Sequence, residues 1–284
     1  MERFVEVQPG VALWTEESGD PAAPALLLVM GANAPGLTWP DDLVARLAAR
    51  HRVIRYDHRD TGRSAWAYEE HPYAIADLAG DAVAVLDAYG IDSAHVVGMS
   101  MGGVLVQLLL LDHPTRVRTA TMLNTTALGS GLAGPGQDDL PPVDPRLLAL
   151  WAELDGERDE AAELDWRVRH WRLLNGDALP FPEEEFRRWE ERAIAHAGRH
   201  DNAAAHALAS QEGLERGAEL AGVAIPALVI DAPQDPVNPP PHAERLAAAI
   251  PGARLVTIPG MGHALNPVIV PSLAGAILDF TTAR

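Results

Sequence analysis

The hydrophobic positions of this chain follow two different rhythms. Up to about residue 126, and again from residue 223, short continuous apolar runs alternate with stretches that have the apolar spacing of amphipathic helices. Short apolar runs indicate strands buried on both faces, and the helical spacing indicates helices that cover a sheet. The alternation predicts an α/β fold with a mostly parallel sheet and crossover helices. The predicted strands cover residues 4–7, 11–15, 25–30, 52–56, 95–98, 118–124, 227–231 and 254–258.

The pattern changes between residues 127 and 222. The first part is rich in glycine and proline, and it is followed by tryptophan-bearing helical patterns over residues 147–154, 160–174 and 182–197. No strand pattern is evident before residue 225. A strand-free insertion within one sheet predicts a helical cap. We therefore expect a core made of residues 1–126 and 223–284, with a cap over residues 127–222.

A candidate nucleophile lies between the strand at 95–98 and the helical pattern at 103–112. The segment Gly98-Met99-Ser100-Met101-Gly102 fits the G-x-S-x-G elbow, in which a sharp turn projects the serine hydroxyl from the end of a strand. Small residues on both sides of the serine let the strand and the helix approach each other. Ser100 is therefore the predicted nucleophile, and the N–H of Met101 is a predicted oxyanion donor.

A serine hydroxyl needs an adjacent base, and a histidine base needs a carboxylate to orient it. His263 follows the last predicted strand within a glycine-rich turn, and Asp235 follows the strand before it. The order Ser, Asp, His is the one expected for this elbow. Asp231 is the alternative acid, but it lies where the strand itself should still be paired. We predict a triad of Ser100, Asp235 and His263.

The second oxyanion donor is expected in the turn after the strand at 25–30, because that turn should lie beside the elbow. The predicted donor is the backbone N–H of Ala32, with Gly31 permitting the turn. Asn33 either contacts substrate or satisfies its own turn. In the next loop, residues 57–64, we expect a structural bridge between Arg59 and a carboxylate.

Composition narrows the possible partners. The 284 residues include 40 acidic and 22 basic side chains, which gives a formal net charge of −18 that repels phosphate backbones and anionic lipid surfaces. Nucleic acid and membrane partners are therefore not expected. Cysteine is absent and residues 1–10 lack the apolar core of a signal peptide, which predicts a cytoplasmic location. The histidine spacing fits no metal motif, and we expect neither metal nor cofactor.

Several segments carry a more specific resemblance. They are residues 26–31 (LLLVMG), 53–64 (VIRYDHRDTGRS), 189–194 (WEERAI), 196–198 (HAG) and 258–265 (IPGMGHAL). With the elbow, they resemble the aclacinomycin methylesterase family of anthracycline-tailoring enzymes, within the α/β-hydrolase superfamily. The resemblance implies an eight-stranded α/β-hydrolase core and cleavage of a methyl ester on a polycyclic aromatic polyketide. It supports the same triad and oxyanion donors, although Ala32 replaces an expected glycine and residues 129–143 differ from the family pattern.

The cap adds candidate substrate contacts. Its tryptophans are expected mainly to pack the cap onto the core, but a flat polycyclic substrate needs an apolar slot that one or two of them could line. The candidate substrate-binding residues are Asn33, Trp151, Trp171, Trp189 and His196. Three alternative functions stay open: hydrolysis of another small ester, lactone or amide, a decarboxylating reaction, and ligand binding without catalysis.

Overall fold

One sheet of eight strands runs through the molecule in the order β1-β2-β4-β3-β5-β6-β7-β8. The computed structural model describes residues 1–130, 140–154, 156–201 and 204–283. The pairs β1–β2 and β2–β4 are antiparallel, and all other neighbours in the sheet are parallel. The predicted fold class is confirmed. The strands are β1 Glu2–Gln8, β2 Val11–Ser18, β3 Ala25–Val29, β4 Arg52–Tyr56, β5 Ala94–Met99, β6 Val117–Leu123, β7 Ala227–Asp231 and β8 Arg254–Thr257.

Helices cover both faces of the sheet, which explains why its central strands are continuous apolar runs. In β3, Leu27 and Val29 face a core shared with α2, α3 and α8, whereas Leu26 and Leu28 face one shared with α1 and α9. Side chains that alternate between two buried faces must all be apolar. The helices of the core are α1 Asp41–Ala48, α2 Asp77–Ala88, α3 Met101–Asp112, α8 His242–Ala249 and α9 Val270–Thr282.

Between β6 and β7 the described residues form four α-helices, and residues 127–222 are called the cap segment below. Three of its helices correspond to the predicted tryptophan-bearing patterns, and the fourth is a short helix without a predicted counterpart. Its division from the core as a separate domain stays a prediction, and most of residues 129–143 lie outside the described residues. The four helices are α4 Pro145–Trp151, α5 Glu160–Leu174, α6 Glu183–Ala197 and α7 Ala205–Leu208.

The parallel strands bring the predicted catalytic residues to one edge of the sheet. Because β3, β5, β6, β7 and β8 run in the same direction, the loops after them meet at the carboxyl edge of the sheet. Ala32, Ser100, Asp235 and His263 all lie in these loops. The cap segment also leaves the sheet after β6 at this edge.

Candidate active site

Ser100 lies in a strained turn between β5 and α3. Its φ of 55° and ψ of −122° are rare for a residue with a side chain, and such conformations typically cost about 1–3 kcal/mol. The turn is fixed because the Ser100 N–H donates to the Leu123 carbonyl at 3.0 Å. A Cβ on Gly98 would collide with the Gly102 backbone, and one on Gly102 with the Val29 carbonyl. The two glycines of the elbow are therefore required by close packing.

The structure brings Asp235 and His263 into direct contact. Nδ1 of His263 lies 2.9 Å from both carboxylate oxygens of Asp235. A carboxylate only accepts hydrogen bonds, so Nδ1 carries the proton in the neutral imidazole. Nε2 of His263 is then unprotonated and has the lone pair that a general base requires.

Burial and hydrogen bonds act in opposite directions on Asp235. Its side chain is 3% exposed, and this burial by itself raises the pKa of the carboxyl group. The nearby charge of His263 and hydrogen bonds from His263, Asn124 and the Asn238 backbone outweigh burial, so the pKa of Asp235 lies below its ordinary value. The Val237 N–H adds a further hydrogen bond at 2.8 Å. The carboxylate is thus held in its charged form.

Asn124 is a supporting residue that the sequence analysis did not identify. It directly follows β6 with a φ of 52°, and its Nδ2 donates to Asp235 at 2.9 Å and to the Gly262 carbonyl at 2.8 Å. One amide group therefore connects the loop of the acid to the loop of the base. The only indication of this role in the sequence is that Asn124 lies at the end of a predicted strand, where the carboxyl edge of the sheet is expected.

Asp231, the alternative acid, forms its hydrogen bond with a residue outside this site. It accepts a hydrogen bond from Thr257 Oγ1 at 2.9 Å, and burial raises its pKa. Asp235 carries the contact with His263 and has the lowered pKa. The geometry favours Asp235 as the carboxylate of the triad.

The loop of residues 30–33, called the oxyanion loop below, passes directly beside the nucleophile. A Cβ on Gly31 would lie 3.1 Å from the Cβ of Ser100. Within the part of the chain that the structure describes, neither the Ala32 N–H nor the Met101 N–H has a hydrogen-bond acceptor. Two backbone donors beside one serine are the arrangement that stabilises a tetrahedral oxyanion.

Two buried histidines contact the oxyanion loop. His58 Nε2 donates to the Met30 carbonyl at 2.9 Å, and the Asn33 N–H donates to His206 Nδ1 at 2.8 Å. Asn33 has a φ of 58°. Neither histidine was among the predicted site residues, because nothing in their local sequence indicates a distant loop as partner.

The cap segment also contacts the loop that carries His263. The N–H groups of His263 and Ala264 both donate to the Leu174 carbonyl at the end of α5, at 2.7 and 3.0 Å. A Cβ on Gly262 would collide with the backbone of Leu174 and Asn175. The end of α5 therefore packs directly on the turn that carries the base.

Three of the predicted substrate-binding residues gather in one aromatic cluster. Trp151, Trp171 and Trp189 are half-buried and pack around a small core that includes Ala264, the residue after His263. Trp171 Nε1 donates to Glu190 at 2.5 Å. The cluster places apolar surface beside the base, which fits either packing of the cap or a substrate slot.

His170 lies among these tryptophans. Trp151 Nε1 donates to His170 Nε2 at 3.0 Å, so that nitrogen is unprotonated. Burial and the nearby charge of His263 lower the pKa of His170 to about 3. His170 belongs to α5, the helix whose last residue, Leu174, accepts the hydrogen bonds from His263 and Ala264.

The remaining predicted contacts differ in position. His196 Nε2 donates to Asp57 at 2.7 Å, and the His196 ring packs edge-on against Trp14 at 4.6 Å. These contacts attach α6 to the core and favour a structural role for His196. Asn33 is exposed beside Ala32, where its side chain stays a predicted substrate contact.

The loop after β4 confirms the expected structural bridge. Arg59 makes two hydrogen bonds of 2.6 Å to the buried carboxylate of Asp81. Among the described residues, no group of three or more histidine, aspartate or glutamate side chains is arranged to hold a metal ion. No helix in the described ranges has the length and apolar character needed to cross a bilayer.

Comparisons with known proteins agree with this geometry. The sequence pattern of the alpha/beta hydrolase fold family matches residues 24–268. The chain is 47% identical to rhodomycin D methylesterase DauP of Streptomyces sp. (strain C5) and to rhodomycin D methylesterase DnrP of Streptomyces peucetius, over 96% of each chain in both pairs. It is 30% identical to a putative carbamate hydrolase RutD of Variovorax paradoxus (strain S110), over 93% of this chain and 94% of the relative. A solved hydrolase from Pseudomonas aeruginosa PA01 superposes with a TM-score of 0.76 at 28% identity, covering 99% of this chain and 98% of that one.

Proposed function

Because the chain belongs to the alpha/beta hydrolase fold family, we propose that it is a serine carboxylesterase that cleaves the carbomethoxy group of a polycyclic aromatic polyketide, such as an anthracycline. The observation that carries the substrate class is 47% identity, over nearly the whole of both chains, to two rhodomycin D methylesterases. The site supports the chemistry, because an oriented histidine and two free backbone donors lie around the loop of Ser100.

Acylation begins when Ser100 Oγ attacks the ester carbonyl and His263 Nε2 takes the hydroxyl proton. Asp235 keeps Nδ1 protonated and stabilises the imidazolium that forms. The N–H groups of Ala32 and Met101 stabilise the oxyanion, and each such donor contributes about 2.7–4 kcal/mol to the transition state. The C–O bond to the methoxy group then breaks, and His263 returns the proton, so that methanol leaves.

Deacylation repeats these steps with water. His263 takes a proton from a water molecule as that water attacks the acyl-serine carbonyl, and the same backbone donors stabilise the second oxyanion. The bond to Ser100 breaks and its oxygen regains a proton from His263. The products are the free carboxylic acid and methanol, and the sequence of steps consumes only water.

The aromatic cluster of the cap supports a flat, apolar substrate. Trp151, Trp171 and Trp189 gather beside the loop of His263, where indole rings can stack on a polycyclic ring system. We propose these three residues, with Asn33, as substrate contacts. The net charge of −18 supports a small-molecule partner over nucleic acid, and the lack of cysteine supports a cytoplasmic location.

The test compares wild-type protein with Ser100→Ala on a carbomethoxy-bearing anthracycline. Methanol is quantified, and the product mass is measured to separate loss of the methyl group from loss of carbon dioxide. We expect methanol from the wild type, and less by about six orders of magnitude from Ser100→Ala, as in other serine hydrolases that lack the nucleophile.

A second candidate function is hydrolysis of a small ester or carbamate, favoured by the 30% identity to the putative carbamate hydrolase. A panel of short esters and carbamates, assayed with the same two proteins, separates the candidates. Turnover of the panel without turnover of the anthracycline would remove the methylesterase proposal. Wild-type protein that turns over no substrate and whose Ser100 is not labelled by a fluorophosphonate would indicate a binding protein.

A further inference from the structure

The oxyanion loop is held by hydrogen bonds on both sides of its proposed donor, Ala32. The Met30 carbonyl accepts from His58 Nε2 at 2.9 Å, and the Asn33 N–H donates to His206 Nδ1 at 2.8 Å. The Ala32 N–H belongs to the chain segment between these two contacts. Its direction is therefore set by groups that do not themselves touch the reacting atoms.

The hydrogen bonds of His206 define its protonation state. Nδ1 accepts from a backbone N–H, so it carries no proton, and Nε2 donates to the Arg59 carbonyl at 3.0 Å. The side chain is 4% exposed, and its burial is the main reason why its pKa is lowered to about 3. The imidazole is therefore neutral over the range in which an esterase works, and both of its nitrogens are used.

The backbone of the oxyanion loop needs such support. Asn33 has a φ of 58°, in the left-handed region that residues with a side chain adopt at some cost, although asparagine tolerates it better than most. Ala32 and Asn33 are both exposed, so packing of their own side chains does not hold the turn. The hydrogen bond to His206 offsets this cost and selects one conformation of the loop.

His206 lies in α7, which is anchored to the core through its last residue, Leu208, and through Ser210 just beyond it. The Ile75 N–H donates to the Ser210 carbonyl at 2.8 Å, and the Tyr68 hydroxyl donates to the Leu208 carbonyl at 2.9 Å. These contacts place His206, a residue of the cap segment, against the oxyanion loop at a separation of 173 residues in sequence.

We propose that His206 is a positioning residue of the oxyanion hole: by binding the Asn33 N–H, it aims the adjacent Ala32 N–H at the oxygen that becomes negative. The proposal rests on the proposed serine-esterase function. It adds that the last part of the cap segment is required for transition-state stabilisation, in addition to any role of the cap in binding substrate.

The test uses p-nitrophenyl acetate and a fluorophosphonate, because both report on Ser100 and the oxyanion hole without contacts to a polycyclic ring. We expect His206→Leu to lower kcat by about 10–100-fold, less than the loss of a whole oxyanion donor, with KM changed less than twofold. Fluorophosphonate labelling should slow by a similar factor. His206→Asn should recover a large part of both rates, because its Oδ1 can accept from Asn33 in place of Nδ1.

His51 offers a matched control. It is another buried histidine with two hydrogen bonds, to the Pro24 carbonyl and to Thr281, at the opposite edge of the sheet. His51→Leu should lower the melting temperature as much as His206→Leu while keeping the wild-type kcat and labelling rate.

The possible failures are distinguishable. The positioning role of His206 would be overturned, without affecting the esterase proposal, by either of two results. One is a wild-type kcat in a folded His206→Leu variant, and the other is a His206→Asn variant that is no faster than His206→Leu. Should His206→Leu not fold, the smaller His206→Ala, which also lacks an acceptor for the Asn33 N–H, takes its place against His51→Ala: a fall in kcat with both, or with neither, overturns the proposal. Wild-type protein that neither hydrolyses the ester nor reacts with the fluorophosphonate would remove the serine-esterase function and, with it, this inference.

Discussion

On one side of Ser100 a buried carboxylate is surrounded by hydrogen-bond donors, whereas on the other side a strained backbone turn is held by two imidazoles. Asp235 receives donors from His263, Asn124 and the backbone of Val237 and Asn238. The oxyanion loop instead relies on neutral His58 and His206. In the proposed mechanism, the acid–base side therefore depends on the fixed charge of Asp235, and the oxyanion side depends on the fixed tautomer of His206.

This difference has a chemical reason. In the proposed mechanism an imidazolium forms on His263, and it needs a permanent negative partner, which a carboxylate with several hydrogen-bond donors provides. The oxyanion exists only during reaction and is met by backbone dipoles, whose direction matters more than net charge. A protonated His206 could no longer accept from Asn33, so an extra positive charge there would release the loop.

The largest effect is expected on the charged side. Asp235→Asn should lower kcat roughly ten-thousand-fold, because an amide does not stabilise the imidazolium and its N–H₂ would face the Asn124 amide that now donates to Asp235 at 2.9 Å. Steady-state kinetics on p-nitrophenyl acetate measures the change. Asp231→Asn is the matched control and should keep kcat within a few-fold, since Asp231 binds Thr257. The reverse ranking of the two variants would show that the acid is misassigned.

The sequence was sufficient for the parts of this site that local pattern determines. All eight strands were predicted, the central ones from apolar runs because helices cover both faces of the sheet there, whereas the edge strands β1 and β8 are largely exposed. The glycine spacing predicted the elbow because close packing excludes a Cβ. The strand order then brings Ser100, Asp235 and His263 to one edge.

The supports of the site could not be predicted in this way. Asn124 reaches Asp235 across 111 residues, and His206 reaches Asn33 across 173, so neither pair leaves a local signal. The helix α7 that carries His206 has four residues, too few to show a periodicity.

The second prediction uses the pH dependence of protein stability to separate the contribution of His206 from that of Asp235. His206 has a pKa of about 3 in the folded protein and an ordinary value near 6.5, so below pH 6.5 the unfolded chain binds a proton that the folded chain does not. Its contribution to stability is complete above pH 6.5 and is lost as pH falls, by up to about 1.4 kcal/mol per pH unit. Urea unfolding of wild type and His206→Asn between pH 7 and 4 should show a shallower slope for the variant.

Asp235 should act in a different pH window. Its pKa lies below the ordinary value, so its contribution to stability is present above about pH 4 and is lost only as pH falls further. Asp235→Asn should therefore retain the wild-type slope between pH 7 and 5. A wild-type slope in His206→Asn would mean that His206 is protonated in the folded state, and the tautomer argument would fail.

The smallest effect on activity is expected at His196, the other cap histidine on the oxyanion side. It donates to Asp57, next to His58, and its ring packs on Trp14, but it does not contact the oxyanion loop. Asp57 keeps backbone donors from Gly36 and Arg63 when His196 is removed. His196→Leu should thus lower the free energy of unfolding by about 1–3 kcal/mol, the usual cost of removing one partner of a buried hydrogen bond.

The kinetics of His196→Leu decide whether the oxyanion loop depends on His206 in particular or on docking of the cap in general. We expect kcat and KM to stay within twofold of wild type on both the small ester and the anthracycline, and His196→Gln to recover part of the lost stability through its own amide donor. A fall in kcat comparable to that of His206→Leu would attribute the loop geometry to the whole cap interface. A rise in KM for the anthracycline alone would instead identify His196 as a substrate contact, because p-nitrophenyl acetate is too small to occupy a slot for a polycyclic ring.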